Sequence, residues 1–574
     1  MQKVGSFLVD WWRLVVPYFK SEDARYAIPL LLGAIALTFT GVGLEKVFND
    51  WYGRFYDALQ NKDEPTFWRE IITFSWLAAL FIINGATRAI VSPYLRLRWR
   101  RWLTRHYLAH WLDGQGYYRI ELARSVDNAD QRIAEDLRFL GEYTMQLFLG
   151  LLNAVATLIT FLIILWDLSG PLSLAFIGID VVIPGYMAVA ALLYAVIGTF
   201  LANLVGRRLI PLNFMRQRFE ANFRFALVRV RENAEGIALY KGEQREADNL
   251  NLRFADVFAN GWRVLFTNVQ LAFYQTSYGQ IAIIFPFLVS APRYFAGAIT
   301  LGVVMQTVSA FGQVQTSLSF FVDNYTLLAE LRAVMDRLKG LQVATDEWPA
   351  ATIVDVEARG GATDVSADAL TLTLPNGQAL LSDARIDLPK GRATLISGAS
   401  GSGKSTLFRA LAGIWPFGQG HVTIPAGARV LFLPQKPYIP IGTLRDAVKY
   451  PDELSTASDA EIVAALQAAQ LGHLTGRLDE EAHWSNTLSG GEQQRLAVAR
   501  ALVFKPDWLF MDEATASLDE PAEAALYGAL KERLPGTTIV SIGHRPTLKQ
   551  WHDRRLELQR RPGEVGKLVE VPLA

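Results

Sequence analysis

Apolar residues fill the first 330 positions in six runs, at about 27–47, 70–91, 147–167, 183–205, 264–290 and 296–321. Each is long enough to cross a bilayer as a helix, which takes about 20 residues. Leu147 to Trp166 is the cleanest of them, whereas glycines and polar residues interrupt the first and the last. Ahead of them, Phe7 to Val16 reads as an amphipathic helix lying in the membrane interface, with Trp11 and Trp12 at headgroup depth. Near residue 340 the pattern changes to short apolar strands alternating with helix-forming stretches. The reading is therefore a helical membrane domain over 1–340, a linker over 341–363 marked by Pro349 and Gly360-Gly361, and an α/β domain over 364–574.

Basic residues orient this pattern. Arg96, Arg98, Arg100, Arg101 and Arg105 follow the second run, and Arg207, Arg208, Arg216, Arg218, Arg224, Arg229 and Arg231 follow the fourth. Positive-inside reasoning places both connections, and the start with Lys3, Arg13 and Lys20, in the cytoplasm. These connections span roughly 55 and 58 residues rich in helix formers, so helices projecting below the membrane are expected. The 51% hydrophobic content and mean hydropathy of +0.18 fit a membrane protein. The balance of 56 basic against 56 acidic residues argues against nucleic acid as a partner. Zero cysteines exclude disulfides and thiolate metal sites, and the seven histidines are scattered.

The α/β part carries the chemistry. Gly398-Ala399-Ser400-Gly401-Ser402-Gly403-Lys404-Ser405-Thr406 has the spacing of a phosphate-cradling loop, between the strand-like Ala393–Ser397 and the helix-like Leu407–Gly413. Glycines let backbone N–H groups close around phosphate, and the following helix directs its positive end at it. Lys404 is placed to bridge the β- and γ-phosphates of ATP and the Ser405 hydroxyl to bind Mg²⁺. Trp508–Met511 is an apolar strand ending in Asp512 and Glu513, the first suited to hold Mg²⁺ through water and the second to act as general base. Ser489, Gly490 and Gly491 open a helix and form a second anion site, out of reach of the phosphate that Lys404 holds in the same domain. Gln435 follows the apolar run Val430–Leu433, Ser517-Leu518-Asp519 follows Glu513, and His544 follows Thr538–Ile542.

From about residue 350 onward this ordered set resembles the nucleotide-binding domain of ABC ATPases. The resemblance implies that Gln435 is a catalytic-loop glutamine that also reaches Mg²⁺, that Ser489 to Gly491 is the signature, that Asp519 belongs to the ATP site, and that His544 touches the γ-phosphate. It implies too that the signature of one copy closes on nucleotide held by a second. The strand Leu370–Pro375 lacks the aromatic that stacks on adenine in many such domains.

Other segments narrow the likeness: Trp51–Gln60, Asn128–Asp136, Pro184–Met187, Arg231–Tyr240, Leu433–Tyr438 and Gly442–Asp446. Together they look like the bacterial SbmA/BacA-related transporters with a fused ATPase, relatives of the peroxisomal fatty-acyl half-transporters of subfamily D. That resemblance implies an exporter-type fold with six transmembrane helices, acting as a homodimer in a bacterial inner membrane. It implies ATP-driven uptake of hydrophilic compounds such as antimicrobial peptides and cobalamin. Export of lipid, acyl or drug-like molecules is the alternative, and a cargo-free membrane sensor a third reading. By local rules, Asn128 or Asp130 caps a helix starting at Gln131, and Arg132 pairs with Asp136 at i,i+4, as a solvated helix start or as a segment that docks on the ATPase. Glu235, on the stretch before Gly236, is either a second such contact or a surface charge. Gln306, Ser309, Gln313 and Thr316 form a polar stripe on the sixth run, facing either neighbouring helices or a wet cavity, with Gln270, Gln275 and Gln280 in the fifth favouring the cavity.

Overall fold

The structure, a computed structural model, describes residues 2–123, 126–173, 182–346, 354–451, 456–561 and 564–573. They form two compact units: Met1–His110 with Asn128–Val343, and Trp111–Asp127 with Ala344–Ala574.

The first unit is helical. In chain order come α1 (Gln2–Phe19), α2 (Ala24–Gln60) and α3 (Glu64–Leu112); α4 (Gly116–Ala123) lies in the segment assigned to the second unit. Then follow α5 (Ala129–Gln131), one π turn (Arg132–Asp136), α6 (Leu137–Ser169), the strands β1 (Pro171–Ser173) and β2 (Val182–Pro184), α7 (Tyr186–Gly206), α8 (Leu209–Glu232), α9 (Ala234–Tyr240), α10 (Glu243–Phe295), α11 (Leu301–Asp323) and α12 (Tyr325–Asp346). The six apolar runs lie in α2, α3, α6, α7, α10 and α11, save for the start of the fourth, which is strand β2, and of the sixth, which is the turn before α11.

Among the described residues, four helical stretches are long and apolar enough to cross a membrane: Ala24–Gln60, Glu64–Ala123, Ala129–Ser169 and Tyr186–Glu232. The runs in α10 and α11 are not among them, because the glutamines, serines and threonines noted above dilute their hydropathy. With 49 and 53 residues, α3 and α10 far exceed a bilayer core. At 1.5 Å per residue they run roughly 70–80 Å, against about 30 Å of hydrocarbon.

The Trp51–Gln60 segment has a visible purpose. Asp57 Oδ1 accepts from Gly302 N at 2.8 Å and Gln60 Oε1 from Leu301 N at 2.7 Å, so the end of α2 satisfies the free N–H groups that open α11. Gly302 has to be glycine, since a Cβ would stand 2.2 Å from the Gly53 carbonyl. Asn49 donates to the Gln306 carbonyl at 2.9 Å, and Gly53 makes room for the Gln306 side chain. Of the polar stripe, Gln306 thus works between helices.

Asp136, expected to pair locally with Arg132, is also held by a residue far away in the chain. Asp136 accepts from Arg337 of α12 at 2.6 and 2.8 Å, and Arg132 donates to the Arg337 carbonyl at 2.9 Å. Asn128 stands at the N-cap position, left-handed (φ 48°) and without a side-chain cap bond, so the helix begins at Ala129 rather than Gln131 and Asp130 lies within it. Asn128 to Asp136 belongs to the helical unit, and the stretch counted with the ATPase is Trp111–Asp127.

In the second unit, Leu122 of α4 packs against a core that includes Ile396, Leu407 and Phe408. The strands are β3 (Asp355–Arg359), β4 (Val365–Thr373), β5 (Ala379–Leu388), β6 (Thr394–Gly398), β7 (Gly418–Pro425), β8 (Val430–Leu433), β9 (Gly442–Thr443), β10 (Glu481–Ala482), β11 (Trp508–Asp512), β12 (Thr538–Ile542), β13 (Arg554–Gln559) and β14 (Lys567–Val571). The helices are α13 (Lys404–Leu411), α14 (Leu444–Lys449), α15 (Asp459–Ala468), α16 (Trp484–Thr487), α17 (Gly490–Phe504) and α18 (Glu520–Arg533). Within the 341–363 stretch expected as linker, α12 runs on to Asp346 and β3 begins at Asp355; 347–353 lie outside the described residues.

One sheet has the order β14-β13-β6-β12-β11-β8, parallel except for the β13–β14 pair. Its central strands β6, β11 and β12 are buried almost throughout, as a parallel sheet covered on both faces requires. A second sheet, β3-β7-β4-β5, is mixed. Parallel neighbours bring their C-terminal ends to one edge, where ligands bind in open α/β sheets.

Candidate nucleotide site

Four adjacent parallel strands deliver the predicted residues to that edge. The phosphate loop leaves β6, His544 follows β12, Asp512 and Glu513 end β11, and Gln435 follows β8. The loop's geometry needs its glycines. Gly403 has φ +108°, and at Gly398 (φ +154°) a Cβ would lie 2.6 Å from the Leu558 carbonyl. Lys404 folds over the loop, donating to the carbonyls of Gly398 and Ala399 at 2.9 Å each. Ser402 is buried, and its hydroxyl has no partner among the described residues. Ala399, Ser400 and Gly401 are exposed, and Thr406 is buried in the first turn of α13.

Beside the loop, Ser405 Oγ donates to Asp512 Oδ1 at 3.3 Å. Burial raises the Asp512 carboxyl above its usual range; the Ser405 hydrogen bond opposes this and the neighbouring Glu513 adds to it. A hydroxyl beside a carboxylate is the hard-oxygen donor set that Mg²⁺ takes. With an unpartnered hydroxyl and a lysine facing loop carbonyls, these residues fit Mg·ATP. Glu513 stands at φ +48°, a conformation that a non-glycine residue holds only against strain. Gln435 Nε2 donates to Glu513 Oε2 at 3.0 Å, and His544 Nδ1 lies 3.6 Å from Glu513 Oε1. Lys404, Ser405, Asp512, Glu513, Gln435 and His544 thus sit along one sheet edge.

Ser489, Gly490, Gly491 and Asp519 are placed differently. Ser489 caps α17 in a reciprocal pair with Glu492: its Oγ accepts from Glu492 N at 3.3 Å, and Glu492 Oε2 accepts from Ser489 N at 2.9 Å and from Ser489 Oγ at 2.8 Å. Those bonds hold the Glu492 carboxyl below its ordinary range. Asp519 caps α18, accepting from Ala522 N at 3.0 Å. Among the described residues no hydrogen bond joins these positions to the phosphate loop, and Ser489, Gly490 and Asp519 are exposed.

Four supporting residues escape sequence reasoning. Gln494, buried in α17, donates to the Gln435 carbonyl at 3.2 Å and accepts from Ser517 N at 2.9 Å. Arg545 donates to the carbonyls of Leu518 at 2.6 Å and Ala516 at 2.8 Å. Glu523, 1% exposed, accepts from Thr515 at 2.8 Å and from Thr547 at 2.6 Å. Arg500 donates to the carbonyls of Ala447 and Tyr438 at 2.6 Å each, and burial lowers its guanidinium to about 10. Adjacency to His544 was a usable signal for Arg545; the other three carry none.

Residues 12–295 match the family model for ABC transporter transmembrane region 2, and residues 381–516 the ABC transporter model. The chain is 38% identical to an ABC transporter ATP-binding protein of Haemophilus influenzae, over 96% of this chain and 92% of the relative. It is 33% identical to the chloroplastic ABC transporter D family member 2 of Arabidopsis thaliana, over 96% and 85%. The structure of a bacterial Atm1-family ABC exporter with ATP bound superposes with a TM-score of 0.72 at 19% identity, covering 92% of this chain and 93% of that one.

Proposed function

The chain belongs to the ABC transporters, as an ATP-driven half-transporter related to subfamily D, and on that premise we propose that two identical copies import hydrophilic solutes across a bacterial inner membrane. The observation that carries the catalytic part is Glu513 itself, held by Gln435 and beside His544 at the edge where Lys404, Ser405 and Asp512 converge. In this reading Lys404 and the loop N–H groups bind the β- and γ-phosphates. Ser405, Asp512 and Gln435 would hold Mg²⁺, which would neutralise charge on the phosphates. Glu513 takes a proton from the attacking water, and His544 steadies the γ-phosphate. Ser489 to Gly491 and Asp519 complete the site of the second copy.

Exposure supports the pairing. Leu239 and Tyr240 of α9 are 76% and 89% exposed, and the start of α17 is open to solvent. Large apolar side chains presented this way suit a protein interface. The SbmA/BacA likeness and the polar side chains of α10 and α11 support hydrophilic cargo, peptides or a cobalamin-sized solute. The exporter-type fold favours the opposite direction, so direction is tested separately.

Full-length protein in proteoliposomes provides the test. Glu513→Gln is expected to bind Mg·ATP normally and to lose at least about a hundredfold in turnover, the scale of a general base. Wild-type turnover in that variant removes Glu513 from the role. Labelled peptide should accumulate in right-side-out vesicles in an ATP-dependent way that Lys404→Ala abolishes; accumulation in inside-out vesicles instead means export.

A further inference from the structure

The helical unit contains a cavity of about 150 Å³ between α7, α10 and α11 whose lining includes Tyr274, Gln275, Tyr278, Gln315, Ser319 and Asp323. From these side chains we infer that it binds an organic cation, an ammonium or guanidinium group carried on a small apolar body. The inference rests on the transporter reading and deepens it, since the cavity would hold the cationic part of the cargo.

The chemistry of the lining points one way. Asp323 is its single acid, none of the lining residues is basic, and Asp323 has no hydrogen-bond or ion-pair partner among the described residues. It ends α11, roughly 33 Å along the helix from Leu301 at 1.5 Å per residue, hence toward the cytoplasmic side by the charge-based orientation. Asp323 is itself exposed, so an incoming cation can reach its carboxylate without displacing a protein partner.

The tyrosines add the apolar half of the recognition. Tyr274 donates its hydroxyl to the Gly198 carbonyl at 2.7 Å, and Tyr278 to the Tyr194 carbonyl at 3.2 Å. Tyr194 stacks on Tyr278 with centroids 4.5 Å apart, and Tyr274 lies 5.9 Å from Tyr278. With both hydroxyls committed to α7, the aromatic rings offer π surface, which attracts cations. Ser319 is likewise committed, donating to the Gln315 carbonyl at 3.1 Å. The amides of Gln275 and Gln315 remain for hydrogen bonds to ligand N–H or O–H groups. Gln275 is the one glutamine of the fifth run on this lining; Gln270 and Gln280 are not part of it.

The test uses full-length protein in nanodiscs with radiolabelled choline as probe, against its neutral isostere 3,3-dimethylbutan-1-ol and against sodium chloride. Saturable choline binding is expected, with neither competitor displacing it at tenfold excess. Asp323→Asn should weaken binding at least tenfold and Asp323→Glu should retain most of it, each variant checked for fold by size-exclusion profile and thermal midpoint. Equal competition by the neutral alcohol overturns the charge requirement, and equal competition by sodium overturns the organic cation. Absence of saturable binding, or full binding by Asp323→Asn, overturns the site. If Asp323→Asn does not fold, the wild-type competition decides. Loss of the transporter reading would show separately, as ATP turnover in Lys404→Ala equal to that of wild type.

Discussion

Glu523 offers the sharpest test of how the catalytic loops are held. Its carboxylate, 1% exposed, accepts from Thr515, two residues past Glu513, and from Thr547, three past His544. Arg545 Nη1 lies 3.6 Å from it while gripping the Ala516 and Leu518 carbonyls. One buried acid therefore ties the turn carrying His544 to the loop leading to Asp519. Glu523→Gln keeps the shape and removes the charge. A hydrogen bond to a charged group contributes about 1.5–3 kcal/mol and a neutral one about 0.5–1.5, so each threonine bond loses about 1 kcal/mol. Weakening of the Arg545 contact adds about another 1 kcal/mol. About 3 kcal/mol, all of it directed at loop placement, limits the fall in kcat to roughly 150-fold; relaxation makes tenfold to a hundredfold the expected range. Phosphate release by full-length protein in nanodiscs measures kcat, and binding of a fluorescent ATP analogue measures the ground state. Glu523 does not touch nucleotide in this account, so binding should stay within about twofold of wild type. A kcat within twofold of wild type, or binding that falls as far as kcat, refutes the positioning role.

Two further outcomes follow from other parts of the fold. Burial holds the His552 imidazole below its ordinary value, with Nδ1 2.7 Å from the Leu548 carbonyl and Nε2 2.9 Å from Ser541 Oγ. The unfolded chain binds that proton more readily, so the contribution is full above a pH of about 6.5 and is lost as pH falls through the lower folded value. His552→Gln should flatten the drop in thermal midpoint between about pH 7 and 5; an unchanged acid limb refutes the assignment. Replacing Leu239 and Tyr240 with Asp should leave ATP binding intact and reduce the two-copy fraction of nucleotide-trapped particles by mass photometry. An undiminished two-copy fraction removes α9 from the interface.

What could be read from the sequence depended on distance along the chain. The phosphate loop, Asp512-Glu513 and Ser489–Gly491 stood out because each is contiguous and its spacing encodes backbone geometry. Gln494 and Glu523 did not, since their partners are set by which loops fold together: Gln494 meets a carbonyl 59 positions earlier and an N–H 23 later. Asp136 shows the failure from the other side. The i,i+4 rule pointed to Arg132 and gave no hint of the bidentate contact from Arg337, 201 residues away. Apolar length located the long helices that carry the six runs, yet it could not tell which polar residues in α11 face helices and which face a cavity. That depends on neighbours: Gln306 is used against α2, while Gln315 and Ser319, outside the stripe, line the cavity.

The resting signature turn bears on why two copies would need nucleotide to close. Ser489 is held by Glu492 Oε2 while Glu492 Oε1 lies 3.1 Å from His473 Nε2, and the carboxylate occupies the positive end of α17 where a phosphate would go. To grip nucleotide from a second copy, Ser489 must exchange its bond to Glu492 for one to phosphate, and two negative groups must share one helix start. The exchange gains little by itself, because one charge-assisted bond replaces another. Net attraction has to come from elsewhere, and Lys404 would supply part of it by lowering the charge of the phosphates before they arrive. A chain lacking Lys404 would then fail at closure even where residual ATP binding persists. Glu492→Gln, which removes the competing charge and keeps the cap, should ease closure. The pair can be separated by titrating ATP against the two-copy fraction. Glu492→Gln is expected to shift the midpoint to lower ATP, and a shift to higher ATP would mean that the carboxylate assists closure.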